Sequence, residues 1–157
     1  MSFGEVMTAM GLDKKLREMD FVRKVRATRR KFRGYCKWAA DNVEAVIKEY
    51  NVLRKMTAKT KNASHHILQD WAMKSYFGAQ YSRGIGMCMP VLGKYGQRFS
   101  PHWIMNNVQK ANKGSDDILG VAKLALEAAG CREDDAKGIL EFLEESWDLA
   151  KLLSTMS

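Results

Sequence analysis

The stretch FVRKVRATRRKFRGYCKWAADNVEAVIKEYNVL, residues 21–53, decides how the chain reads. It contains no proline and one glycine, Gly34, and two periodic patterns run through it. In the first, Arg23, Arg26, Arg30, Arg33 and Lys37 are spaced by three, four, three and four residues, so a continuous helix gathers them into one stripe about 21 Å long. In the second, Cys36, Ala39, Val43, Val46, Tyr50 and Leu53 repeat the same alternation with mostly apolar side chains, which predicts the core face of a helix of about five turns. That seam lasts fewer than three heptads, too short for a dedicated coiled coil and right for a bundle helix. Gly34 marks a weak point or an end of the helix before it.

Working outward, Asp13 sits where a helix N-cap would be, with apolar residues recurring at Leu12, Leu16, Met19, Val22 and Val25, and residues 1–12, punctuated by Gly4 and Gly11, read as a short helix or a flexible arm. Residues 57–63 read as a polar loop, and Ser64 as the cap of a helix with Ile67, Leu68, Trp71, Ala72 and Phe77. Between Gly78 and Ser100, five glycines and Pro90 exclude a long helix and leave room only for short helical pieces. Ser100 followed by Pro101 is a helix start, because proline at the first helical position loses no hydrogen bond; that helix runs to Asn112. Ser115, Asp116 and Asp117 start another, which Gly130 ends. The last begins at residues 132–135 and buries Ile139, Phe142, Leu143, Trp147, Ala150 and Leu153. The expected fold is all-α, a single-domain bundle of five or six helices over residues 1–157, with an acidic helical pair at residues 114–157.

Net charge is +8, but it is unevenly distributed. Residues 1–40 carry 11 Lys/Arg against 4 Asp/Glu, residues 41–113 carry 11 against 4, and residues 114–157 carry 4 against 10. Such segregation implies a polyanionic partner for one end and a basic one for the other. The three cysteines, Cys36, Cys88 and Cys131, are odd in number, widely separated and in no C-x-x-C pair, which argues against a disulfide framework and against structural zinc. The N-terminus lacks the basic start and apolar run of a secretory signal, and no segment has the roughly 20 apolar residues needed to span a bilayer. The expected location is intracellular, cytoplasmic or nuclear, or inside a viral particle, and not secreted.

The arginine stripe carries the functional reading. Like charges three and four residues apart disfavour a helix, so the stripe calls for a compensating anion. Arginine dominates, which suits planar, bidentate recognition of phosphate, and nucleic acid presents phosphates in a line. Arg29, with Lys24 and Lys31, widens the stripe. In the middle of the chain Tyr76, Phe77, Tyr81, Arg83, Lys94, Tyr95, Arg98, Phe99, His102 and Trp103 interleave aromatics with cations, as proteins that stack bases and track a backbone do. Phe77, Phe99 and Trp103 read better as core anchors; Tyr81 and Tyr95 as stacking platforms; Arg83, Lys94 and Arg98 as an extension of the phosphate path. The acidic face of the last helix, Glu141, Glu144, Glu145 and Asp148, would meet the basic stripe of a neighbouring copy.

Catalytic signals are weak. His65 and His66 are adjacent and His102 is the only other histidine, so no metal-ligand spacing appears. Gly84-Ile85-Gly86 lacks a third glycine at Met89, and Gly93-Lys94 lacks the rest of a P-loop. Cys88 with His102 reads better as an inert thiol than as a nucleophile and its base. The carboxylates Asp116, Asp117, Glu133, Asp134 and Asp135 suit helix N-termini better than a two-metal nuclease. The expectation is therefore non-enzymatic, largely sequence-independent binding of RNA or single-stranded DNA by a homo-oligomer or a subunit of a nucleoprotein assembly, with no cofactor, no metal and no membrane. The alternative is a helical adaptor or regulator that binds an acidic protein through the same stripe.

Overall fold

A computed structural model describes residues 1–12 and 19–147. Asp13 and Leu16 of the N-terminal reading, and Asp148, Ala150 and Leu153 of the C-terminal one, lie outside the described residues. Helix α1, Phe3–Ala9, starts with a reciprocal cap: the Ser2 hydroxyl accepts from the Glu5 amide at 3.1 Å and the Glu5 carboxylate from the Ser2 amide at 3.0 Å. It buries Val6, Met7 and Ala9, so the short-helix reading of residues 1–12 is the one realised. Helix α2, Met19–Asp41, continues through Gly34 and buries Phe21, Val25, Phe32, Cys36 and Ala39.

The apolar seam from Cys36 to Leu53 does not form one helix. It is divided among the end of α2, α3 (Val43–Val46), strand β1 (Lys48–Glu49) and α4 (Tyr50–Thr57). Asn42, at φ −133° and ψ 37°, breaks the helix, and its side-chain amide donates to the Trp38 carbonyl at 2.8 Å. Such local side-chain bonding offers the backbone an alternative to helix. Ala39, Val46 and Leu53 are still buried, so the periodicity identified core positions while overstating their continuity.

The all-α expectation is corrected by a small sheet. Strand β2, Asn62–His66, and β1 both pair antiparallel with β3, Met87–Leu92, in the order β1-β3-β2. Lys48 lies opposite Cys88, and Asn62 to His66 run opposite Leu92 to Cys88. Ser64 is therefore a strand residue facing Pro90, not a helix cap; the helix that follows, α5, starts at Asp70 and ends at Phe77. Pro90 is tolerated in the middle strand because β1 pairs only with Met87 and Cys88, so the missing N–H removes no bond on that side. The rest of residues 78–96 consists of short 3₁₀ turns around β3.

Three further helices follow the sequence reading closely. Helix α6, Pro101–Ala111, is capped by the Ser100 hydroxyl on the Trp103 amide at 3.1 Å. Helix α7, Ile118–Ala129, is capped by Asp117 and ends at Gly130, and α8 runs Glu133–Trp147. Helices α6, α7 and α8 pack in succession, with α2 across α8 and α7, and α1 against α7. The mainly helical core is rich in sulfur: Met7, Met73, Met89 and Met105 are fully buried beside Ile67, Ile104, Leu126, Ile139 and Leu143. Burying each such side chain contributes about 1.5–3 kcal/mol. Among the described residues no helix is long and apolar enough to cross a membrane.

The turn between α7 and α8 is fixed to α2 at one place. Gly130, at φ +127°, lies so close to α2 that a β-carbon would meet the Arg29 carbonyl oxygen at 2.2 Å. One residue on, Cys131 is joined to Cys36 in a disulfide, with Cα atoms 5.6 Å apart. This corrects the expectation drawn from cysteine spacing: the two residues are 95 positions apart, and only the docking of α7 and α8 on α2 brings them together.

Candidate nucleic-acid interface and a histidine-lined cleft

At about 100° per residue, the stripe on α2 is centred about 140° around the helix from its buried face. Arg23, Arg26, Arg30, Arg33 and Lys37 are all exposed. Arg23 is ion-paired with Asp20, whereas Arg26, Arg30, Arg33 and Lys37 have no ion-pair partner among the described residues. The acidic residues Glu141, Glu144 and Glu145 are also exposed, and among the described residues no ion pair links α8 to α2, although the helices pack together. Among the described residues, then, no internal salt-bridge network balances Arg26, Arg30, Arg33 and Lys37.

Arg29 is not part of that surface. Its guanidinium is turned inward and donates to the carbonyls of Ala128 at 3.0 Å and Glu127 at 3.4 Å, and to that of Met1 at 3.3 Å. The last carbonyls of a helix carry no internal partner and a partial negative charge, so a cation there closes the end of α7. Lys94 has the same use at another helix: its ammonium donates to the carbonyls of Ala58 at 2.7 Å, Thr57 at 3.1 Å and Thr60 at 3.3 Å, closing the end of α4. Two cations that the sequence suggested for phosphate are occupied by backbone carbonyls.

The aromatic and basic middle divides in a similar way. Tyr81 is buried and donates its hydroxyl to Asp70 at 2.7 Å, which removes it as a stacking platform. Arg83 lies 3.9 Å from Asp70 and 5.1 Å from the Tyr50 ring centroid, away from α2. Tyr95 is 96% exposed, with φ at +60°, a conformation that costs a non-glycine residue about 1–2 kcal/mol and here buries nothing in return. Nearby Arg98 lies 4.9 Å from the Phe99 ring centroid and Lys24 lies 5.1 Å from it. The Thr28 hydroxyl donates to the Phe99 carbonyl at 2.6 Å, fastening residues 93–99 to α2. Lys24 and Arg98 thereby flank the Phe99 ring, Lys24 also lying 3.8 Å from Asp20; exposed Lys31, seven residues on, continues the Lys24 side of α2, and Tyr95 is three residues before Arg98 in the chain.

A feature missed in the sequence lies elsewhere. All three histidines line one cleft of about 590 Å³ between β2, the start of α5 and α6. His65 and His102 meet edge to face with centroids 5.2 Å apart, and His66 stacks on Tyr50 at 4.9 Å. The Gln109 amide nitrogen reaches His65 Nε2 and the His66 carbonyl, both at 3.3 Å, while Gln69 donates to the Gln109 carbonyl at 2.7 Å. Burial holds all three imidazoles below their ordinary value, His65 well below and further lowered by its two histidine neighbours. Among the described residues no group of three His, Cys, Asp or Glu side chains is arranged to hold a metal.

The signal for this cleft was present in α6. His102, Asn106, Gln109, Lys110 and Lys113 recur at i, i+4, i+7, i+8 and i+11, a polar face beside the buried Pro101, Ile104, Met105 and Val108. Cys88 lies outside the cleft lining and is fully buried, and burial pushes its thiol far above the ordinary range. Comparison with protein families, with curated proteins and with solved structures finds no match.

Proposed function

We propose that this protein binds the backbone of a nucleic acid, RNA or single-stranded DNA, largely without regard to sequence and without catalysis, as a repeated or small subunit of a nucleoprotein assembly. The observation that carries this reading is the row of four exposed cations, Arg26, Arg30, Arg33 and Lys37, without an ion-pair partner among the described residues, on a helix whose opposite face is anchored in the core. A line of fixed cations suits a line of phosphates, and each phosphate neutralised releases counterions. Lys24, Lys31 and Arg98, with Tyr95, add a place for a base to stack beside the backbone. The exposed acidic face of α8, at Glu141, Glu144 and Glu145, suits the basic face of a neighbouring copy along the same strand.

Binding of a fluorescent single strand, measured across salt concentrations, tests the reading. With five stripe cations engaged, the slope of log affinity against log salt reaches about −3.5 for a single strand. Replacing Arg26 and Arg30 together with alanine flattens that slope by about 1.4 and weakens all sequences alike. An unchanged slope removes the stripe from the site. A bound acidic protein that an excess of unrelated RNA or single-stranded DNA fails to displace would favour the adaptor instead.

A further inference from the structure

The cleft shares no residue with the α2 stripe, and its chemistry is different. Because a carbonyl only accepts, the contact of His66 Nε2 with the Arg83 carbonyl at 3.0 Å and that of His102 Nδ1 with the Gly93 carbonyl at 2.9 Å place the imidazole protons on those nitrogens. Each neutral ring then keeps its other nitrogen as an acceptor. Gln109 spends its amide hydrogens on His65 and the His66 carbonyl, which leaves its oxygen as an acceptor too. The floor of the cleft is therefore rich in acceptors whose proton positions are set by neighbours. At its rim Lys110 and Lys113 are exposed, three residues apart on one face of α6 and its end, with no ion-pair partner among the described residues. Trp71, 36% exposed, supplies an aromatic wall. A volume of about 590 Å³ falls within the range of small-ligand sites.

We propose that this cleft binds a nucleoside monophosphate, its base against Trp71 and the acceptor-rich floor and its phosphate on Lys110 and Lys113. An acceptor-rich floor pairs with exocyclic amines, so adenine, cytosine and guanine nucleotides bind more tightly than the uracil one. The same chemistry is offered by a free mononucleotide and by the phosphorylated end of a strand. The proposal goes beyond backbone binding by α2 and stands or falls separately from it.

Calorimetric titration of the full chain with AMP, CMP, GMP, UMP and inorganic phosphate tests it. The expected result is saturable binding of one amine-bearing nucleotide per chain, weakened at least tenfold by Lys110→Glu with Lys113→Glu and unaltered by Arg26→Ala with Arg30→Ala. Both lysines are exposed, so the variant keeps the fold. Absence of saturable binding at millimolar nucleotide overturns the proposal, as does phosphate alone binding as tightly as the nucleotides, or loss of binding in the α2 variant with retention in the lysine variant. Competition by a 5′-phosphorylated oligonucleotide but not by its 5′-hydroxyl counterpart identifies the ligand as a strand end, and failure of both to compete identifies it as the free nucleotide; either outcome supports the site.

Discussion

Gly130 lies against the backbone of Arg29, and the Arg29 side chain reaches past it to close the end of the helix that Gly130 terminates. The two residues thus dock α7 on α2 from both directions. Gly130→Ala places a β-carbon at φ +127° and against a carbonyl, and is expected to lower stability by about 2 kcal/mol or more. Arg29→Ala removes the donor from the Ala128 carbonyl, while that of Glu127 keeps the Gly130 amide, and is expected to cost about 1–3 kcal/mol. Urea denaturation measures both. Unlike Arg26→Ala with Arg30→Ala, Arg29→Ala leaves the salt slope for nucleic acid unchanged.

Lys94 gives the parallel case at α4. Its removal is expected to reduce stability by about 1–3 kcal/mol through the three carbonyls it serves, again with no change in salt slope. A flattened slope in Lys94→Ala would restore it to the phosphate path.

Tyr81 and Tyr95 should behave in opposite ways. Tyr81→Phe removes the donor to Asp70 and is expected to cost about 0.5–1.5 kcal/mol of stability without affecting single-strand binding. Tyr95→Ala should leave the thermal midpoint within a degree or so and reduce single-strand affinity by about tenfold. Equal affinity for wild type and Tyr95→Ala would rule out base stacking at that position.

Acid should destabilise the fold through the histidines. In the unfolded chain each imidazole takes up a proton near its ordinary pKa of about 6.5, whereas in the fold burial lowers all three. The unfolded state therefore binds more protons below about pH 6.5, so stability that is complete above about pH 7 is lost progressively as pH falls. Of the groups around His66, Asp70 favours its protonation and Arg83 and Lys74 oppose it; for His65, His66 and His102 are the opposing neighbours. Urea midpoints measured at about pH 7.5 and about pH 5.5 should differ, and less so in His65→Gln. A pH-independent midpoint would contradict the buried, neutral state of these rings.

Reduction tests the bond between Cys36 and Cys131. Closing 95 residues of chain constrains the unfolded state, so a reducing agent is expected to lower stability by about 2–5 kcal/mol. Thiol titration of the untreated protein should find a single reactive group, Cys88, and only after unfolding. Three reactive thiols before reduction would contradict the bond.

Helix ends were the most legible part of the sequence. Ser100-Pro101, Asp117 and Gly130 satisfy or terminate backbone groups within a few residues of themselves, so local chemistry settles them. The sheet was not legible, because its reason lies elsewhere in the chain. Strand β2 reads NASHH, of which only His65 is buried, and β3 places Pro90 among Cys88, Met89 and Val91; neither alternates, and each is a strand because the other is beside it. The stripe on α2 was readable as a surface because α2 is one unbroken helix. Arg29 could not be separated from Arg26 and Arg30 by spacing alone, since what distinguishes it is the carbonyls of a helix about 100 residues away. The histidine cleft was hidden for the same reason: β2 supplies two rings and α6 the third.

Through the bond between Cys36 and Cys131 the chain from one to the other becomes a closed ring holding the sheet, the cleft and helices α3 to α7. The basic residues before position 36 and the acidic residues after position 131 leave that ring as two tails of opposite sign from one covalent point. A single backbone cut within the ring, by a protease acting on residues 78–96 for instance, would leave the two tails joined. A nicked molecule would keep its full mass until reduced.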